Sequence, residues 1–85
     1  MLEQNYPNPF NPITLITYEV PKVENVTIRV YDCLGRQVSV LINNEMKSPG
    51  IHKISFNATN LPSGVYFCRM EAGNFTNTKK LILLK

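Results

Sequence analysis

Apolar and polar side chains alternate, or cluster in short apolar runs, along six segments of this chain. Ile16, Tyr18 and Val20 alternate with Thr17 and Glu19, which predicts a strand over Ile13 to Val20. Val26, Ile28 and Val30 face one way and Thr27, Arg29 and Tyr31 the other, giving a second strand over Val26 to Tyr31. Val38, Val40 and Ile42 set one face of a third, Gln37 to Ile42; His52, Ile54 and Phe56 set one face of a fourth, Ile51 to Phe56. Val65 to Met70 and Thr76 to Leu84 complete the set. Between those two lies Gly73-Asn74, where a two-residue hairpin turn needs residues that tolerate positive φ. Turn chemistry fills the other gaps: Pro21 and Lys22 to Asn25, the tight turn Asp32-Cys-Leu-Gly35, the polar loop Asn43 to Gly50, and the link Asn57 to Gly64 with Leu61 as an anchor. No stretch carries helical periodicity over a useful length. Short strands at spacings of about ten residues predict an antiparallel β-sandwich, with a small open barrel as the competing architecture.

The two ends of the chain break this rhythm. Leu81-Ile-Leu-Leu84 is wholly apolar and is flanked by Lys79, Lys80 and Lys85. Such a run is costly in water and belongs in a sheet, although chain ends ordinarily fray. At the other end, Pro7, Pro9 and Pro12 fix φ and remove backbone donors, so no helix forms there. Tyr6 and Phe10 give this stretch apolar anchors, and it reads as an extended lead-in packing its aromatics against one end of the domain. The division is therefore a single domain, 1–85, with a Pro-rich lead-in over 1–12 and a sandwich over 13–85.

Composition narrows the class. Eighty-five residues make one domain with a thin core, and a hydrophobic fraction of 44% is ordinary for a globular protein and argues against disorder. No apolar run approaches the roughly 20 residues of a membrane helix, so no membrane insertion is expected. Met1-Leu-Glu-Gln lacks the basic head and apolar run of a signal peptide. The net charge of +3 comes from scattered basic residues without a stripe, which argues against a nucleic-acid partner. Cys33 and Cys68 are not brought together by the strand pattern and read as two small thiols rather than a bridge.

Candidate chemistry is sparse. No two carboxylates are marked as an acid–base couple. His52, the only histidine, sits in phase with Ile54 and Phe56 and reads as a core or edge residue, which leaves too few ligands for a metal. The glycines are single turn residues, not a phosphate loop, and no cofactor is implied. Tyr31 and Phe67 fall out of phase with the inward sets and keep a carbohydrate-binding reading open. The residues alone thus describe a non-catalytic β module, an appendage or interaction unit.

Four motifs taken together add more. They are the lead-in Gln4-Asn-Tyr-Pro-Asn-Pro-Phe-Asn-Pro12, the strand Val26 to Tyr31 followed by Asp32-x-Leu-Gly-Arg36, the segment Asn60-Leu-Pro-Ser-Gly-Val-Tyr66, and the terminal Lys79-Lys-Leu-Ile-Leu-Leu-Lys85. In this order, over essentially the whole chain, they resemble the type A C-terminal sorting domain of the type IX (Por) secretion system of Gram-negative bacteria. The resemblance implies an immunoglobulin-like sandwich of about seven antiparallel strands. It implies a non-enzymatic signal that carries a larger, covalently attached cargo protein through the periplasm to the cell surface or exterior. The partners implied are the type IX translocon and outer-membrane shuttle or sortase components. The recognition residues implied are Gly64, Tyr66, Lys79, Lys80, Leu81 and Lys85. This chain departs from the family at His52, where an aromatic is usual, and at Cys33 and Cys68, where apolar or aromatic residues are usual. The alternative reading is an extracellular Ig-like binding or spacer module on a secreted enzyme, with carbohydrate binding as one form of it.

Overall fold

The computed structural model describes residues 1–85 throughout. Six strands form: β1 (Ile13–Val20), β2 (Glu24–Asp32), β3 (Gln37–Lys47), β4 (Gly50–Asn57), β5 (Gly64–Ala72) and β6 (Phe75–Leu83). They make two antiparallel sheets, one of order β1-β4 and one of order β3-β2-β5-β6. The sheets bury their facing sides in one core. Ile16, Tyr18, Val20 and Phe56 come from the first; Val26, Ile28, Val30, Ile42, Tyr66, Cys68, Met70, Leu81 and Leu83 come from the second. This is the alternation the sequence predicts, and the sandwich stands over the barrel because the sheets do not close on each other. Leu61 packs against the core as the expected anchor.

Six strands form rather than about seven. The lead-in takes the remaining position without building a ladder. It bridges β1 on the side away from β4 at Leu2–Tyr18 and Tyr6–Leu15, then crosses to β6 at Phe10–Leu83. Its prolines lack N–H donors, so a continuous ladder is denied to it. Phe10 is buried and its ring lies 6.0 Å from that of Phe56, as an anchor should. Tyr6 does not anchor: it is 80% exposed, because at its bridge to Leu15 it points away from the core.

The third strand differs most from expectation. Its register against β2 shifts between Val26 and Ile28, between Ile28 and Arg29, and between Val30 and Tyr31. Each bulge inserts a residue and reverses the faces beyond it. Ile42 therefore points in opposite Ile28, while Val40 points out opposite Arg29, and the two do not share a face. The strand also runs on through Asn43 to Lys47, where the sequence reads as loop. Asn44 takes φ +50° there, and its N–H donates to Thr27 Oγ1 at 3.0 Å, which carries the strand past the irregularity.

Candidate recognition end of the sandwich

Four pieces of the motifs, far apart in sequence, meet around one end of the sandwich: the later half of the lead-in, the Asp32 to Arg36 turn, the Leu61 to Tyr66 segment and the end of the last strand. The last strand and the lead-in come together first. Ile82 N–H donates to Asn8 Oδ1 at 2.9 Å, Phe10 N–H donates to Ile82 O at 2.9 Å, and Leu84 N–H donates to Phe10 O at 3.0 Å. Gln4 Nε2 donates to Lys80 O at 2.8 Å. Asn8 thus uses its side-chain amide as a neighbouring strand would use its backbone, despite sitting before a proline. Behind it, buried Asn5 donates to Thr14 Oγ1 at 2.9 Å and to Pro7 O at 3.1 Å, and Thr14 Oγ1 donates to Pro7 O at 2.8 Å. This knot satisfies the buried polar groups and directs the crossover from β1 to β6. The outer edge of β6 is therefore covered by the lead-in from Lys80 to Leu84.

The Asp32-x-Leu-Gly-Arg36 turn lies beside this junction. Asp32 Oδ1 accepts from Leu34 N–H at 3.0 Å and Arg36 N–H at 2.9 Å, and Oδ2 accepts from Arg36 Nε at 2.8 Å. The Arg36 backbone N–H, with further help from its guanidinium and the Leu34 N–H, holds the Asp32 carboxyl below its ordinary range. Gly35 turns the chain at φ +83°, which a side chain rarely adopts. A shallow cavity of about 450 Å³ separates this turn from the Leu61 to Tyr66 segment.

The six residues implied as a recognition set are brought into one region but not onto one surface. Gly64 opens β5 opposite Leu83. Tyr66 and Leu81 face each other in the core, both buried. The Tyr66 hydroxyl donates to Pro62 O at 2.6 Å and so ties the strand to the link before it. Burial, then the nearby Asp32 charge, raises its pKa. Lys79 is half-buried opposite Cys68, on the inner side of β6, whereas Lys80 is exposed opposite Phe67 on the outer side. Lys85 lies at the end, its N–H donating to Ser63 Oγ at 2.9 Å and its Nζ to Thr59 O at 2.6 Å.

The remaining candidates fall where the residue reading puts them. The His52 ring stacks on Tyr18 with centroids 5.2 Å apart and sets Nε2 2.8 Å from Ser48 O, so it fills an aromatic's place in β4. Cys33 is exposed and Cys68 buried, both as free thiols. Tyr31 and Phe67 pair directly across β2 and β5 on the outer face. What the sequence reading missed is the role of Gln4 and Asn8 on β6. The only signal for it is the density of Asn and Pro in the lead-in, and neither residue type announces its distant partner.

A comparison with curated proteins finds no match. A family model described as the secretion system C-terminal sorting domain matches residues 4–84, which takes in all four motifs. That family is a secretion signal rather than a catalytic one, and its type IX assignment agrees with the motif order. The chain belongs to the C-terminal sorting domain family of the type IX secretion system.

Proposed function

We propose that this domain directs a covalently attached cargo protein through the type IX system, by way of the periplasm, to the cell surface or exterior. The observation that carries the reading is that each of the four family motifs contributes a part to one end of the sandwich. Residue 1 lies at the opposite end, beside the β5–β6 turn at Gly73 and Asn74. A cargo joined there leaves the motif-bearing end clear for the translocon and for shuttle or sortase components of the outer membrane.

Within that end the six candidate residues divide by exposure. Lys80, Lys85 and Gly64 are open to a receptor, and lysines near an acidic partner speed and orient encounter. Tyr66 and Leu81 act from the core, by holding the strands that carry the others. Lys79 sits between the two groups. In a type IX-competent host, a reporter fused ahead of this chain is expected outside the cell. The pair Lys79→Ala and Lys80→Ala is expected to fold and to be exported less. A wild-type fusion held in the periplasm refutes the proposal; full export of the folded double variant removes those lysines from the signal.

A further inference from the structure

The outer face of the four-stranded sheet carries a second feature. Arg29 and Arg69 are direct cross-strand partners on β2 and β5. Like charges placed so are destabilising unless something neutralises them. Glu71 does so in part, its Oε1 3.2 Å from Arg29 Nη1 and its Oε2 2.9 Å from Arg69 Nη2. One carboxylate thereby fixes two guanidiniums. The Arg69 guanidinium also lies over the Tyr31 ring, 5.2 Å from its centroid. Tyr31 pairs with Phe67, and Phe67 with Lys80, so one row across the sheet reads Tyr31, Phe67, Lys80. Val65 and Val40 flank it, both substantially exposed. Three cations against one anion, set among aromatic and aliphatic side chains, leave this face positive and apolar together.

This composition matches the centre of a protein interface, where Tyr, Phe and Arg are enriched. It fits a sugar less well, because the ring face a pyranose would stack on at Tyr31 is taken by Arg69. The size fits a passing contact. Four strands about 4.8 Å apart and seven residues of about 3.3 Å each give roughly 450 Å², below the roughly 800 Å² per partner of a stable complex.

We propose that the outer face of the β3-β2-β5-β6 sheet docks an acidic protein strip, with carboxylates on Arg29, Arg69 and Lys80 and apolar side chains on Phe67 and Val65. The proposal rests on the sorting reading and names the chemistry of the receptor that reading requires. It extends the recognition surface from the chain's end to the sheet face through Lys80, the one candidate lysine shared by both.

The test has two arms. In the first, the isotopically labelled 85-residue chain is titrated with a synthetic peptide of alternating glutamate and leucine, and separately with polygalacturonate. The peptide should shift amides of β2, β5 and β6. Binding should weaken about tenfold in Arg69→Gln and in Phe67→Thr, and several-fold on raising salt from about 0.05 to 0.5 M. Lys53→Gln, on the other sheet, should leave it within about twofold. Thermal unfolding checks each fold, and Arg29→Gln replaces any variant that fails. No peptide shifts, shifts confined to another face, or binding indifferent to Arg69→Gln overturns the proposal. Polygalacturonate binding in place of the peptide overturns it in favour of a glycan. In the second arm, reporter fusions carrying folded Arg69→Gln or Phe67→Thr should be exported at least about fivefold less than wild type. Equal export overturns the docking role while the sorting reading stands. If the wild-type fusion itself is not exported, the sorting reading fails and the face is judged on peptide binding.

Discussion

At the scale of single residues, burial separates groups that look alike in the sequence. Burial pushes the Cys68 thiol up to about 12, while Cys33 stands exposed in the β2–β3 turn. Because the thiolate is the reactive form, a thiol reagent at pH 8 should label Cys33 alone in the folded protein and both cysteines after denaturation. Rapid double labelling of the native chain would contradict the packing described for β5. Gly73 is constrained in another way. It sits at φ +57° with the Glu24 carboxylate where a Cβ would be, 2.6 Å from its Oε2. Gly73→Ala should cost about 1–3 kcal/mol in denaturant unfolding. Asp32 sets a pH dependence. Its folded pKa lies below the ordinary carboxylate value, so its hydrogen bonds stabilise the fold fully above that value. The contribution is lost as pH falls below the ordinary carboxylate value and through the lowered folded pKa. Asp32→Asn should flatten the acid limb of a stability–pH curve below that point, and an unchanged limb would show that the turn carries no such linkage.

At the scale of elements, the lead-in behaves as a strap across both sheets. Asn8 covers the Ile82 amide, and Phe10 fills the core beside Phe56. Asn8→Ala should speed hydrogen exchange at Ile82 while leaving β2 and β5 protected. Phe10→Ala should cost about 3–5 kcal/mol, a large share of the stability of so small a domain. Strand positions were legible because one-sided burial imposes a period of two, and β1, β2 and β5 keep it without interruption. The path of β3 was not legible. It is an edge strand whose distal half, Asn43 to Lys47, buries no residue fully and so has no alternation to read. A bulge, moreover, is a property of a pair of strands rather than of one. The strap was hidden for a similar reason: side-chain amides of Gln4 and Asn8 act across more than seventy residues of sequence. In the candidate site, the motif residues were visible in the sequence, but their division into buried Tyr66 and Leu81 and exposed Lys80 and Lys85 needed the register.

At the scale of the whole molecule, the two ends differ in kind. The end near residue 1 is a mouth of about 850 Å³ between turns, and the other gathers the chain terminus, the Asp32 turn, the Leu61 to Tyr66 segment and the end of the lead-in. The body is 37 Å long, so on the proposed function a cargo joined at residue 1 would sit well away from the motif-bearing end. It also explains why deleting β6 cannot isolate the signal, since Leu81 and Leu83 close the core that holds every other motif in place. Only surface changes on an intact fold separate signal from structure. The measurement that tests the central claim most directly is the extracellular fraction of a reporter carrying this chain at its C-terminus. It is compared in two otherwise identical hosts, one with a working type IX translocon and one without. Export in the first host and periplasmic retention in the second is the predicted result; equal fractions in both hosts would contradict the account.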